Sequence, residues 1–136
     1  MNCVNTTAIW QKIEKLLEKT EHSNLVAISR ADFEEAMKDA SDFAYVEIEN
    51  IAFPDLLEKL RKEFTALPMH SVRNGVLRIG TTSAGADGEL SADNMCSLLK
   101  TVQEFTSGAN LIWGLDVDPA IFSGCYSVAA VFAMST

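Results

Sequence analysis

Apolar positions recur along this chain at two spacings, and the spacing changes mark its elements. Ile9, Ile13, Leu16 and Leu17 fall on one helical face, with Glu14, Lys15, Glu18 and Lys19 opposite. This predicts a helix that Thr6 or Thr7 caps and that runs to about Glu18. Residues 20–24 are a polar break, followed by the apolar run Leu25-Val26-Ala27-Ile28. Ser29 can cap a second helix over residues 30–40, with Phe33, Ala36, Met37 and Ala40 inward. Asp32 stands where a capping box wants a longer Glu or Gln. From Phe43 to Asn50 the period drops to two. Ala44, Val46 and Ile48 share one face, and Phe43, Tyr45, Glu47 and Glu49 share the other, as in a half-buried strand. Pro54 suits the first turn of a helix over residues 54–65 that buries Leu56, Leu57, Leu60 and Phe64.

Asn74-Gly75 is a turn signal, and Val76-Leu77-Arg78-Ile79 reads as the strand after it. Residues 80–88 are small residues and turn formers. Ser91 caps a helix to about Phe105, with Met95, Leu98, Leu99, Val102 and Phe105 inward, and Ser107-Gly108 stops it. The run Leu111-Ile112-Trp113 reads as a strand buried on both faces, with Trp113 in the core, continuing through Gly114, Leu115 and Val117 to Pro119. Residues 126–134 form a further apolar strand, and the short connection between these two predicts an antiparallel hairpin. The order helix, helix, strand, helix, strand, helix, strand, strand predicts an α/β (α+β) two-layer sandwich. Its sheet is mixed and four-stranded, with helices on one face and an extra N-terminal helix in front. No linker or repeat interrupts the chain, so residues 1–136 are expected to be one domain: a helix and connector over 1–24 and the sandwich over 25–136.

Composition narrows the function classes. The formal net charge is -8, with 19 acidic against 11 basic side chains, which argues against nucleic-acid and anionic-membrane partners. At 48% hydrophobic residues the chain can form a core without disulfides or metal. No apolar run is long enough for a membrane span, and the N-terminus lacks the pattern of a signal peptide. Cys3, Cys96 and Cys125 are odd in number and widely spaced, which suits a reducing cytoplasm and offers no zinc pattern. Cys96 and Cys125 read as buried small hydrophobes, and His22 and His70 as surface loop residues without a spaced metal or nucleophile partner.

Several motifs stand together. The chain has Ala109-Asn110-Leu111-Ile112-Trp113-Gly114 followed by Val117-Asp118-Pro119. It has Gly75-Val76-Leu77 followed by Ser83-Ala84-Gly85-Ala86-Asp87. Upstream are Ala31-Asp32 and Met37, then Phe43-Ala44-Tyr45-Val46. In type and order these resemble the C-terminal domain of the tubulin/FtsZ superfamily, on the side of the bacterial cell-division FtsZ proteins. The resemblance spans residues 25–134. The N-terminal helix matches, by position only, the end of the long helix that joins the two FtsZ domains.

The chain also departs from that family. It has nothing resembling the contiguous glycine loop that wraps the nucleotide phosphates. In the family's catalytic loop, Ala27 stands where Asn is expected and Ser29 where the first Asp is expected, leaving Asp32 as a trans-acting catalytic candidate. The same Asp32 also reads as an acid favouring a helix N-terminus. The resemblance therefore implies a domain without GTPase activity of its own. No cofactor and no metal is expected. Asp87 and Glu89, and Asp116 and Asp118, are ligand-site candidates, the latter two able to meet Glu47 and Glu49 across strands. Each pair also reads as a solvated turn or an acidic strand end.

Without a partner domain, the face bearing Ile9, Trp10, Ile13 and Leu17 must either fold onto the sheet or make an oligomer contact. A homo-oligomer through this helix or a sheet edge is the expectation. The functional expectation is a cytoplasmic assembly module that binds itself or a tubulin-like filament, capping or modulating it. The alternatives are a small ligand-binding protein or enzyme on the same sandwich, and a fragment of a larger FtsZ-like GTPase.

Overall fold

A computed structural model describes residues 6–23, 26–82, 92–106, 108–118, 120–122 and 124–135. The helices are α1 (Thr6–Glu21), α2 (Arg30–Met37), α3 (Phe53–Thr65) and α4 (Ala92–Phe105), with a short 3-10 turn at Met69–Ser71. The strands are β1 (Asp42–Ala52), β2 (Val72–Thr81), β3 (Asn110–Val117) and β4 (Cys125–Met134). They form one mixed sheet in the order β1-β4-β2-β3, with β4 antiparallel to both neighbours and β2 parallel to β3.

The expected hairpin between the last two strands does not exist. β4 inserts between β1 and β2, and β3 lies at the edge beside β2. Burial explains the exchange. Tyr126, Val128, Ala130, Phe132 and Met134 of β4 point into one core, while Val131 and Ala133 point into another, so this strand is apolar on both faces. In β3, Asn110 is exposed and Leu111, Ile112 and Trp113 are only partly buried. Trp113 therefore packs against the margin of the core rather than inside it.

The mixed four-stranded sheet is as the sequence predicts, but helices cover both of its faces. On one side α3 and α4 bring Leu56, Leu60, Phe64, Leu98 and Val102 onto Leu77, Ile79, Val128 and Phe132. Phe64 anchors that layer, edge-on to Phe132 at 5.6 Å and tilted against Phe105 at 5.5 Å. On the other side α1 and α2 bring Ile13, Leu16, Leu17, Phe33 and Met37 onto Val76, Val131 and Ala133. The N-terminal helix is thus a covering layer, and its stripe finds its partner within the chain.

α1 continues to Glu21, into the polar break, because Thr20 is buried and its hydroxyl bonds back to the Leu17 carbonyl at 3.0 Å. Ser29 caps α2, accepting from the Asp32 amide at 3.1 Å. α2 stops at Met37, three residues short of the expected end, with Asp39 at φ 62 just beyond it. Ser91, the expected cap of α4, lies outside the described residues. Cys96 is exposed and Cys125 half-buried, so neither is the core residue expected.

Two glycines read differently in three dimensions. Gly75 is no turn: it lies within β2, beside a register shift between Val72 and Asn74. A Cβ there would sit 2.8 Å from both Leu111 Cδ2 and Phe132 Cδ1. At Gly114 a Cβ would sit 2.9 Å from the Val26 carbonyl oxygen. The missing side chain lets the segment at Val26 approach, where its N–H donates to the Leu115 carbonyl at 2.9 Å and its carbonyl accepts from the Leu115 N–H at 2.8 Å. The Phe132 ring is fully buried and cannot yield. Gly75→Ala is therefore expected to cost about 1–3 kcal/mol by overpacking, read as a lower urea midpoint at unchanged slope.

Candidate interaction surface

Two large apolar side chains are exposed among the described residues, Trp10 at 44% and Phe122 at 70%. Trp10 projects from α1 and meets Phe43 at the start of β1 edge-on, at 5.1 Å. Phe122 stands on the turn between β3 and β4, and its position is fixed by backbone bonds. Its N–H donates to Asn50 Oδ1 at 2.9 Å, and its carbonyl accepts from the Cys125 N–H at 2.9 Å. Asn50 is near the end of β1, at φ 53, and its own N–H donates to Ser127 Oγ at 2.9 Å. Below Phe122, Ile121 is buried and anchors the turn. Phe43 and Asn50 are seven residues apart on one strand, so the two aromatic side chains mark opposite ends of the sheet, about 23 Å apart along the strand at roughly 3.3 Å per residue.

Of the four α1 residues expected at a contact, Ile13 is 2% and Leu17 7% exposed, both inside the layer under α1 and α2. Ile9 is half-buried at its margin and Trp10 stays outside. Between the two helices runs an open groove of about 1210 Å³ with Trp10 at its wall and Phe33 and Met37 in its floor.

The acidic candidates separate. Asp32 is exposed on the first turn of α2. Asp87 and Glu89 lie outside the described residues. Asp118 is a turn former: its carboxylate accepts from the Ala120 N–H at 2.9 Å and its own N–H donates to the Thr81 carbonyl at 2.8 Å. Asp116 on β3 bonds the guanidinium of Arg78 on β2, with both side chains more than four-fifths buried. Glu47 and Glu49 are on β1, with β4 and β2 between them and Asp116. The carboxylates expected to meet across strands are therefore kept apart by Arg78 and the small residues of β4. Sequence reasoning passed over Arg78 as one polar position in an apolar strand. It passed over Phe122 as an apolar residue in a turn.

Tyr45 has the perturbed acid of this face. Burial, then the negative charge of Glu47 and a 3.5 Å hydrogen bond to it, then Glu49, push its phenol up to about 12, against a smaller opposing effect of Arg78. Lys12 Nζ lies 5.4 Å from the centre of its ring.

No family model and no curated protein matches the sequence. Solved structures do match in fold. An FtsZ dimer from M. jannaschii superposes with a TM-score of 0.59 at 12% identity, over 96% of this chain and 40% of that one. A four-stranded filament of TubZ-Bt gives 0.64 at 11% identity, over 98% and 36%. CetZ from Methanosaeta thermophila gives 0.58 at 13% identity, over 96% and 36%. The chain therefore has the fold of part of the FtsZ, TubZ and CetZ structures and spans 36–40% of their lengths. None of its described helices is long and apolar enough to cross a membrane.

The Tyr45 environment has a consequence at high pH. Its folded pKa of about 12 lies above the ordinary 10.0, so the fold favours the neutral phenol. That contribution to stability is complete below pH 10 and is lost as pH rises through about 12. In an ultraviolet titration of the folded chain, Tyr45→Phe is expected to remove a late ionisation step. It should also flatten the alkaline fall in stability.

Proposed function

We propose that this domain is a non-catalytic, cytoplasmic assembly module that joins copies of itself, or a tubulin-like filament, end to end. The placement of Trp10 and Phe122 carries this reading. A two-fold dimer needs one self-complementary patch. Two different apolar patches at opposite ends of a domain instead suit a heterologous contact, which repeats along an axis unless the rotation closes a ring. Each patch is an exposed aromatic side chain on a fixed backbone, and such residues dominate interface energies. The neighbours in fold support the same reading, since they include an FtsZ dimer and a four-stranded TubZ-Bt filament. Ala27 and Ser29, in place of the polar and acidic residues of the family's catalytic loop, support a module that does not turn over nucleotide itself. A longer chain that also supplies a nucleotide-binding half is compatible with the 36–40% coverage. There, Trp10 and the groove between α1 and α2 would serve as the seat of that half.

Sedimentation velocity from micromolar to hundreds of micromolar tests the end-to-end reading. Mass should rise steadily with concentration, and Trp10→Ala and Phe122→Ala should each weaken association by about tenfold or more. A monomer throughout the range would sink self-association. The filament partner is tested by titrating the domain into FtsZ and following GTP turnover. A capping module slows it, and Asp32→Ala then reports whether that loop takes part.

A further inference from the structure

We propose that a chamber between α1 and the sheet binds a small metabolite carrying a phosphate at one end and a hydrogen-bond donor such as an ammonium at the other. The chamber opens because the α1-facing side chains of β4 shrink to Ser127 and Ala129 along this stretch, leaving about 310 Å³ beneath the helix. That lies at the lower end of the roughly 300–1,000 Å³ typical of small-molecule pockets.

Its charge is unlike that of the rest of the molecule. The chain has 11 Lys and Arg against 19 Asp and Glu, yet Lys12, Lys15, Lys19 and Arg78 all line this one space. None of the three lysines is in an ion pair among the described residues. Arg78 gives one Nη to Asp116, which fixes its guanidinium at the chamber wall as a further positive charge. A phosphate has enough oxygens to serve a guanidinium and two or three ammonium groups at once, through charge-assisted bonds.

The opposite wall sets the other end of the ligand. Glu47 and Glu49 line the same chamber from β1, and ionised carboxylates only accept. They repel a bare polyanion that fills the space and favour a donor, best a charged one. Tyr45, two residues before Glu47 on the same strand, keeps its proton through the physiological range and adds a neutral hydroxyl to that wall.

Calorimetric titration of the full chain with phosphoethanolamine, ethanolamine and inorganic phosphate tests this site. Phosphoethanolamine should bind saturably, inorganic phosphate more weakly, and ethanolamine not measurably. The double variant Lys15→Gln/Lys19→Gln changes only exposed side chains and should bind phosphoethanolamine about tenfold more weakly or worse. Glu47→Gln should remove most of the preference for phosphoethanolamine over inorganic phosphate. Amide resonances of Ser127 and Ala129 should move on binding. Absence of binding by both phosphate compounds at 10 mM overturns the proposal (~0.1 of a site filled would imply affinity too weak to be specific). Undiminished binding by the lysine variant overturns it too.

Discussion

Strand β4 is hydrogen-bonded along both edges and buried on both faces, and the other elements are arranged to make that possible. A strand with Val128, Ala130 and Phe132 on one side and Val131 and Ala133 on the other leaves no face for water. Every backbone polar group it carries must be paired, which β1 and β2 do from either side. The two apolar faces then call for two helical layers. α3 and α4 supply one. α1 and α2 supply the other, so the N-terminal helix belongs to the fold itself.

The elements were legible in the sequence and their neighbours were not. Period-two alternation located β1 and told its buried face from its polar one. Helical spacing found the stripes of α1, α3 and α4, and the Ser29 cap fixed where α2 begins. Pairing failed at β3 and β4, because a short connection suggests a hairpin and a run such as Leu111-Ile112-Trp113 suggests a centre. What decides a central position is apolarity on both faces over the full strand, which β4 has and β3 lacks. Gly75 misled for a related reason. An Asn-Gly pair signals a turn when read locally, whereas here the absent side chain makes room for the Phe132 ring of the adjacent strand. The motifs pointed to the fold although identities to the solved structures are only 11–13%.

The site was legible only in part. The sequence singled out Trp10 through its place beside an apolar stripe, and the exposure of that ring bears on the proposed contact. It could not foresee Phe122, whose fixed position comes from the bond between its backbone and Asn50, 72 residues earlier in the chain. Nor could it gather Lys12, Lys15, Lys19 and Arg78 at one place. The lysines appear in sequence as the wet side of a helix, and only the packing of that helix over Ser127 and Ala129 brings them to the same space as Arg78.

The bridge between Val26 and Leu115 bears on how the molecule avoids misassembly. Edge strands invite foreign strands to continue the ladder, the route to amyloid-like stacking. At β3 the connector lies against part of that edge and occupies the backbone groups of Leu115. At β1, the opposite edge, the register breaks between Ile48 and Ile51, and Glu47 and Glu49 place negative charge along the strand. An incoming strand would meet an occupied edge on one side and a bent, charged one on the other. Chains crowded together at high concentration then have little open ladder through which their sheets could fuse.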